Sequence, residues 1–167
     1  MAEQHIDMLV ARAAVQDLVA EYATLIDWID WDRLGEVFWP EARFDFGMFK
    51  GDLPAYREFV AALEEPYARR MHMFGLPLVR IDGNRARVDV GSLITCRTAD
   101  PEPGIDDTFR GRYLFEGERR DGEWRFVRLT YLLNLAERVE RTLDDRAGPM
   151  NFGEGLSPSH PFAMARA

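Results

Sequence analysis

Residues 22–49 read YATLIDWIDWDRLGEVFWPEARFDFGMF, and this stretch decides the fold. It opens inside a helix with one apolar face. It then passes a carboxylate, Asp27, set among Leu25, Ile26, Trp28 and Ile29. A second short helix follows, then Pro40, then the alternating strand ARFDFG. A lone acid in so apolar a setting costs free energy unless it has a partner. His72, further along on a segment with strand period, is the expected partner. These two residues are the expected centre of a small pocket.

Upstream, residues 4–30 are predicted as one helix. Ile6, Leu9, Val10, Ala13, Ala14, Leu18, Tyr22, Leu25, Ile26 and Ile29 recur largely at spacings of three and four. Asp30 or Asp32 can cap a second helix over DRLGEVFW, which Pro40 ends. In ARFDFG, Phe44 and Phe46 share one face and Arg43 and Asp45 the other. Gly51 and Asp52 read as a turn. Asp52 also caps a third helix to about Tyr67, with Pro54 tolerated in its first turn.

The period then changes to two. RRMHMFGLPLVRI is a strand in which Pro77 implies an edge or a bulge. DGN at 82–84 is a hairpin turn. RARVDVGSLITCRT is a second strand, ADPEPGIDD a loop, TFRGRYLFEGERR a third strand, RDGE a second turn and WRFVRLTYLLNL a fourth strand. Three helices followed by an antiparallel meander predict an α+β fold, with the helices packed on one face of a curved sheet. Within the second strand, Leu93 falls out of phase with Val88 and Val90. A β-bulge at Gly91–Ser92 would restore the phase and aim Arg97 into the cavity. Residues 1–140 are expected to form a single domain. Residues 141–167, rich in Gly, Pro and Ser, read as a C-terminal tail. Its Met150, Phe152, Leu156 and Phe162 suit a pocket lid or an interface segment.

The totals narrow the function. A length of 167 residues fits one domain with a real core. An aromatic content of 12%, with eleven Phe and four Trp, suits a large core or an apolar cavity. The net charge of −8 disfavours nucleic acid and anionic membrane surfaces, both of which reward a basic patch. One cysteine, Cys96, excludes an internal disulfide and fits a reducing compartment. MAEQHIDML lacks the basic-then-apolar pattern of a secretory signal, and no apolar run approaches a membrane span. A cytoplasmic protein is expected. His5, His72 and His160 are isolated, so no metal site is expected. There is no phosphate loop or dinucleotide fingerprint, so no cofactor is expected either.

Several of these stretches resemble known families. IDWIDWDRLGEVFWPEARFDFGMF is similar to the corresponding stretch of scytalone dehydratases, and LVARAAVQDL to the start of hexachlorocyclohexane dehydrochlorinases. RMHMFG and DGEWRF fit both. Both belong to the SnoaL-like, nuclear-transport-factor-2-like superfamily, and the resemblance runs over roughly residues 5–137. It implies a cone-shaped, cystatin-like fold: three helices on a curved, mostly antiparallel sheet that encloses a pocket. It also implies that Asp27 holds His72, which acts as general base in an elimination. Other family positions differ. Two pocket tyrosines correspond to Ile26 and Phe46, a second histidine to Arg97, a serine and an asparagine to Gly111 and Tyr113, and a lysine to Tyr22. The acid–base pair is retained and the substrate-reading residues are not.

The chemistry is consistent with these residue types. Abstraction of a proton beside a carbonyl or a leaving group needs a base with a pKa near working pH, which histidine supplies unaided. A carboxylate on the far ring nitrogen sets the tautomer. Tyr22, Trp28, Phe46, Phe49, Arg97, Tyr113, Arg128 and Tyr131 are the candidate substrate-binding residues. Of these, Arg97 is suited to a developing enolate. The expected function is a cofactor-free lyase, dehydratase-like, acting on a small, fairly apolar cyclic or aromatic substrate. The alternatives are an isomerase or cyclase using the same base, a non-catalytic small subunit, or a ligand-binding protein. A homo-oligomer, dimer or trimer, is expected from the fold.

Overall fold

A computed structural model describes residues 2–99 and 104–140. The predicted tail, residues 141–167, lies outside the described residues, as does most of the loop at 100–103.

Helix α1 spans Ala2–Asp27. Ala11, Val15, Leu18, Val19, Tyr22, Leu25 and Ile26 form its buried stripe. Ile6, Leu9 and Val10 extend the same pattern but are exposed, because the first turns project past the core. The helix stops three residues earlier than its periodicity predicts. Ile29 turns into the left-handed region with φ 60°, the Asp30 N–H donates to the Leu25 carbonyl at 2.9 Å, and the Ile29 N–H donates to the Ile26 carbonyl at 3.2 Å. This is the Schellman pattern of a helix C-terminus, with a β-branched residue in the position that usually takes glycine. It leaves Asp27 as the last helical residue, at a sharply defined end.

A 3-10 turn, Trp31–Arg33, and the short helix α2, Leu34–Val37, replace the longer second helix that was predicted. Strand β1, Phe38–Asp45, begins before Pro40 rather than after it. The proline is accommodated because β1 and β7 lose register between Phe38 and Arg43, so no ladder hydrogen bond is demanded of it there. The chain reverses at Gly47, with φ 75°, and returns as β2, Lys50–Asp52. Gly51 and Asp52 are therefore strand rather than turn. Asp52 caps α3, Leu53–Glu64, as predicted: its Oδ1 accepts from the Ala55 N–H at 3.1 Å.

The remaining strands are β3 (Tyr67–Phe74), β4 (Leu78–Asp82), β5 (Arg85–Thr98), β6 (Ile105–Arg120) and β7 (Glu123–Glu140). What reads as one strand around Pro77 is two, β3 and β4, both paired to β5. The turn at Gly83, φ 56°, and the Asp121–Gly122 turn, φ 50° and 87°, fall where the sequence puts them. Among the described residues the sheet has seven strands in the order β2-β1-β7-β6-β5-β3, with β4 on β5. All pairings are antiparallel except β1 with β7. Three helices on this mostly antiparallel sheet make an α+β, cone-like fold.

The bulge expected at Gly91–Ser92 is absent. β5 pairs with β6 in unbroken register from Arg85–Glu118 to Arg97–Asp106, and Val90, Ser92, Ile94 and Cys96 all face inward. Ser92 fills the inner position that Leu93 was expected to take. The sheet bends elsewhere. Gly111 faces Leu133 and Arg110 faces Leu135, so β7 carries one extra residue, Asn134; a second lies at Val127, between the Glu116–Arg128 and Gly117–Phe126 pairs. These two bulges increase the local twist of the sheet that encloses the cavity.

Candidate active site

His72 sits on β3 opposite Ile94 of β5, with Arg70 and Phe74 on the same alternating face. β3 ends the strand order, so amides on its outer edge find no strand partner among the described residues. Asp27 supplies one. Both of its oxygens accept the His72 main-chain N–H at 3.0 Å, and its Oδ1 also meets His72 Nδ1 at 2.8 Å. One carboxylate thus fixes the strand and the ring together. In a neutral ring the carboxylate at Nδ1 favours the proton there and the lone pair on Nε2. The His72 side chain is only 4% exposed, that of Asp27 18%.

The His72 ring forms part of the wall of a cavity of about 190 Å³. Tyr22, Phe46, Tyr113 and Tyr131, all candidates from sequence, line it as well. The Tyr22 and Tyr56 hydroxyls lie 2.7 Å apart. Burial pushes the phenols of Tyr22, Tyr56 and Tyr113 up, so all three stay neutral at ordinary pH. The Tyr131 hydroxyl is buried and makes no hydrogen bond of normal geometry among the described residues; burial raises its phenol, and the Ser92 hydroxyl acts in the opposite direction. Burial also raises the Cys96 thiol, which lines the cavity as a small apolar group rather than a nucleophile.

The other candidates lie off the cavity wall. Arg97 is on the β5 face opposite Ile94 and Cys96, and its Nη2 donates to Asp106 Oδ2 at 3.1 Å. The unbroken register of β5 is the cause. Arg128 is half exposed and faces Glu116 at 3.7 Å. Trp28 lies half-buried in the turn after α1, outside the lining. Phe49 stacks on Phe59 at 4.4 Å and stands behind that lining residue. Among the described residues, no group of three or more His, Cys, Asp or Glu side chains converges to hold a metal ion. No helix among them is long and apolar enough to cross a membrane.

Residues 7–130 match the family model described as a SnoaL-like domain. The chain belongs to the SnoaL-like family. An uncharacterized protein of Mycobacterium tuberculosis is 31% identical over 132 residues, covering 77% of this chain and 83% of its own. Among solved structures, a hexachlorocyclohexane dehydrochlorinase of type 2 superposes with a TM-score of 0.76 at 21% identity, covering 87% of this SnoaL-like chain and 98% of the other. A protein of Novosphingobium aromaticivorans provisionally called a scytalone dehydratase gives a TM-score of 0.72 at 17% identity, covering 90% and 100%. At these identities the likeness is one of fold.

Within this SnoaL-like fold three polar groups of the wall were not among the candidates from sequence: Tyr56, Glu64 and, at the start of β3, Tyr67. Tyr56 and Glu64 both line the cavity from α3. Leu53, Tyr56, Val60 and Glu64 form that helix's buried stripe at spacings of three and four. That pattern was available in the sequence and is the signal that finds them.

Proposed function

We propose that this chain is a cofactor-free lyase that removes a proton with His72 and eliminates a leaving group, most simply water, from a small cyclic substrate. The observation that carries this reading is the double anchoring of His72 by Asp27 in the wall of a largely apolar cavity rich in aromatic side chains. His72 Nε2 takes the proton from a carbon next to a carbonyl. The electron pair left behind forms an enolate, which re-forms the carbonyl as it expels a β-hydroxyl. That hydroxyl leaves as water, carrying the proton that His72 took, and the base is restored. Asp27 stabilises the imidazolium while it exists.

Polarisation of the carbonyl falls to tyrosine hydroxyls rather than to arginine. Tyr22, hydrogen-bonded to Tyr56, and Tyr131, beside Ser92, are neutral donors in the wall. Cavity size favours a single ring, since an apolar cavity of about 150 Å³ holds benzene. The dehydrochlorinase and dehydratase names of the structural neighbours support the same class.

The test is conversion of 3-hydroxycyclohexanone to 2-cyclohexenone, followed by ultraviolet absorbance. Turnover by the wild type that is lost in His72→Ala supports the reading. Turnover equal in both proteins, or none in the wild type, contradicts it.

A further inference from the structure

The apolar stripe of α3 ends in an acid. After Leu53, Tyr56 and Val60, the next buried position is Glu64, 7% exposed. Arg70 on β3 donates through Nε to Glu64 Oε2 at 2.8 Å, and its side chain is 5% exposed. The same guanidinium donates through Nη2 to the main-chain carbonyls of Tyr67, at 2.7 Å, and Glu64, at 3.3 Å. Arg70 therefore ties the C-terminus of α3 to β3. That tie explains the arginine. It does not explain a carboxylate in a cavity wall, because a buried ion pair is a poor stabiliser compared with well-packed apolar residues.

Glu64 has an oxygen to spare. Oε2 is committed to Arg70, and among the described residues Oε1 accepts no hydrogen bond. The charge is felt in the cavity. Burial raises the acids of Tyr56 and Cys96 most, and Glu64 adds to both rises.

We propose that Glu64 is the hydroxyl-reading residue of the cavity: its second oxygen accepts a hydrogen bond from an O–H carried by an otherwise apolar ring. Paired with the Arg70 guanidinium, a carboxylate offers acceptor oxygens only. A ring alcohol or phenol satisfies it. An ether or carbonyl at the same place sets lone pair against lone pair and is rejected. This rests on the reading above only in treating the cavity as a ligand site, and it needs no proton transfer at His72.

The test compares 4-ethylphenol with 4-ethylanisole on the full chain, each titrated by NMR chemical shifts. The wild type is expected to favour the phenol by about tenfold. Glu64→Gln keeps an oxygen for Arg70 and turns an N–H donor toward the cavity. There the preference is expected to vanish or reverse. His72→Ala and Tyr131→Phe are expected to keep it, which separates this site from the proposed base. No preference in the wild type, a preference that survives Glu64→Gln, or one that disappears in His72→Ala overturns the proposal. A crystal structure of the wild type with 4-ethylphenol gives a second readout that needs no variant. The hydroxyl is expected within hydrogen-bonding distance of Glu64; a hydroxyl bound to His72 Nε2 or Tyr131 instead overturns the proposal.

Discussion

The hydroxyls of Tyr22 on α1 and Tyr56 on α3 meet 2.7 Å apart, with both side chains almost fully buried. Each hydroxyl bonds the other, with Tyr113 also acting on Tyr22, so removing either takes a hydrogen bond from its partner. Tyr22→Phe and Tyr56→Phe are each expected to cost about 1–3 kcal/mol, the penalty of a buried group left unpaired. The double variant is expected to cost less than the two singles combined. Urea denaturation of the four proteins measures this; strictly additive losses would show that the hydroxyls do not depend on each other.

Gly111 allows β6 and β7 to approach beside the bulge at Asn134. A Cβ there would lie 2.5 Å from the Leu132 carbonyl oxygen and 2.6 Å from the Tyr131 hydroxyl. The first neighbour is backbone and cannot yield cheaply. Gly111→Ala is expected to destabilise by about 1–3 kcal/mol and to displace the Tyr131 ring. Thermal unfolding reads the first effect, and tyrosine NMR shifts the second. An alanine tolerated without either change would mean the strands are not held this close.

Asp107 is buried in β6 and takes two hydrogen bonds from Arg138 of β7, at 2.6 and 2.7 Å, with a third from the Tyr67 hydroxyl at 3.0 Å. The Arg138 guanidinium holds its carboxyl below the ordinary value, against an opposing push from burial. A carboxylate depressed in the folded state stabilises it fully above the unfolded pKa of about 3.9. That stability is lost as pH falls from there through the folded value. Arg138→Gln removes the largest cause of the depression, so acid unfolding is expected to begin at a higher pH. Circular dichroism against pH checks this, and an unchanged acid midpoint would count against the pair.

Much of the site was legible because it depends on side-chain character close to a helix end. Asp27 among apolar neighbours demanded a partner, and the inward alternation of β3 offered His72. The hairpin turns were legible because Gly83, Asp121 and Gly122 occupy backbone conformations that few residues take. The arginines were not. Arg97 turns away because β5 keeps its register, and a strand apolar on both faces gives no sign of which face is inner. Its partner Asp106 was hidden in a stretch that reads as loop but pairs with β5. Pro40 marks a break in pairing rather than a helix end, which depends on the parallel partner β7, distant in sequence.

The proposed elimination depends most on His72 being a base that Asp27 positions. Proton exchange tests this without a known substrate. Cyclohexanone is held in D₂O with the enzyme, and deuterium uptake next to the carbonyl is followed by NMR. The wild type is expected to accelerate uptake, and both His72→Ala and Asp27→Asn, folded by circular dichroism, are expected to lose about 10²–10⁴-fold. Uptake as fast in either variant as in the wild type would contradict the account.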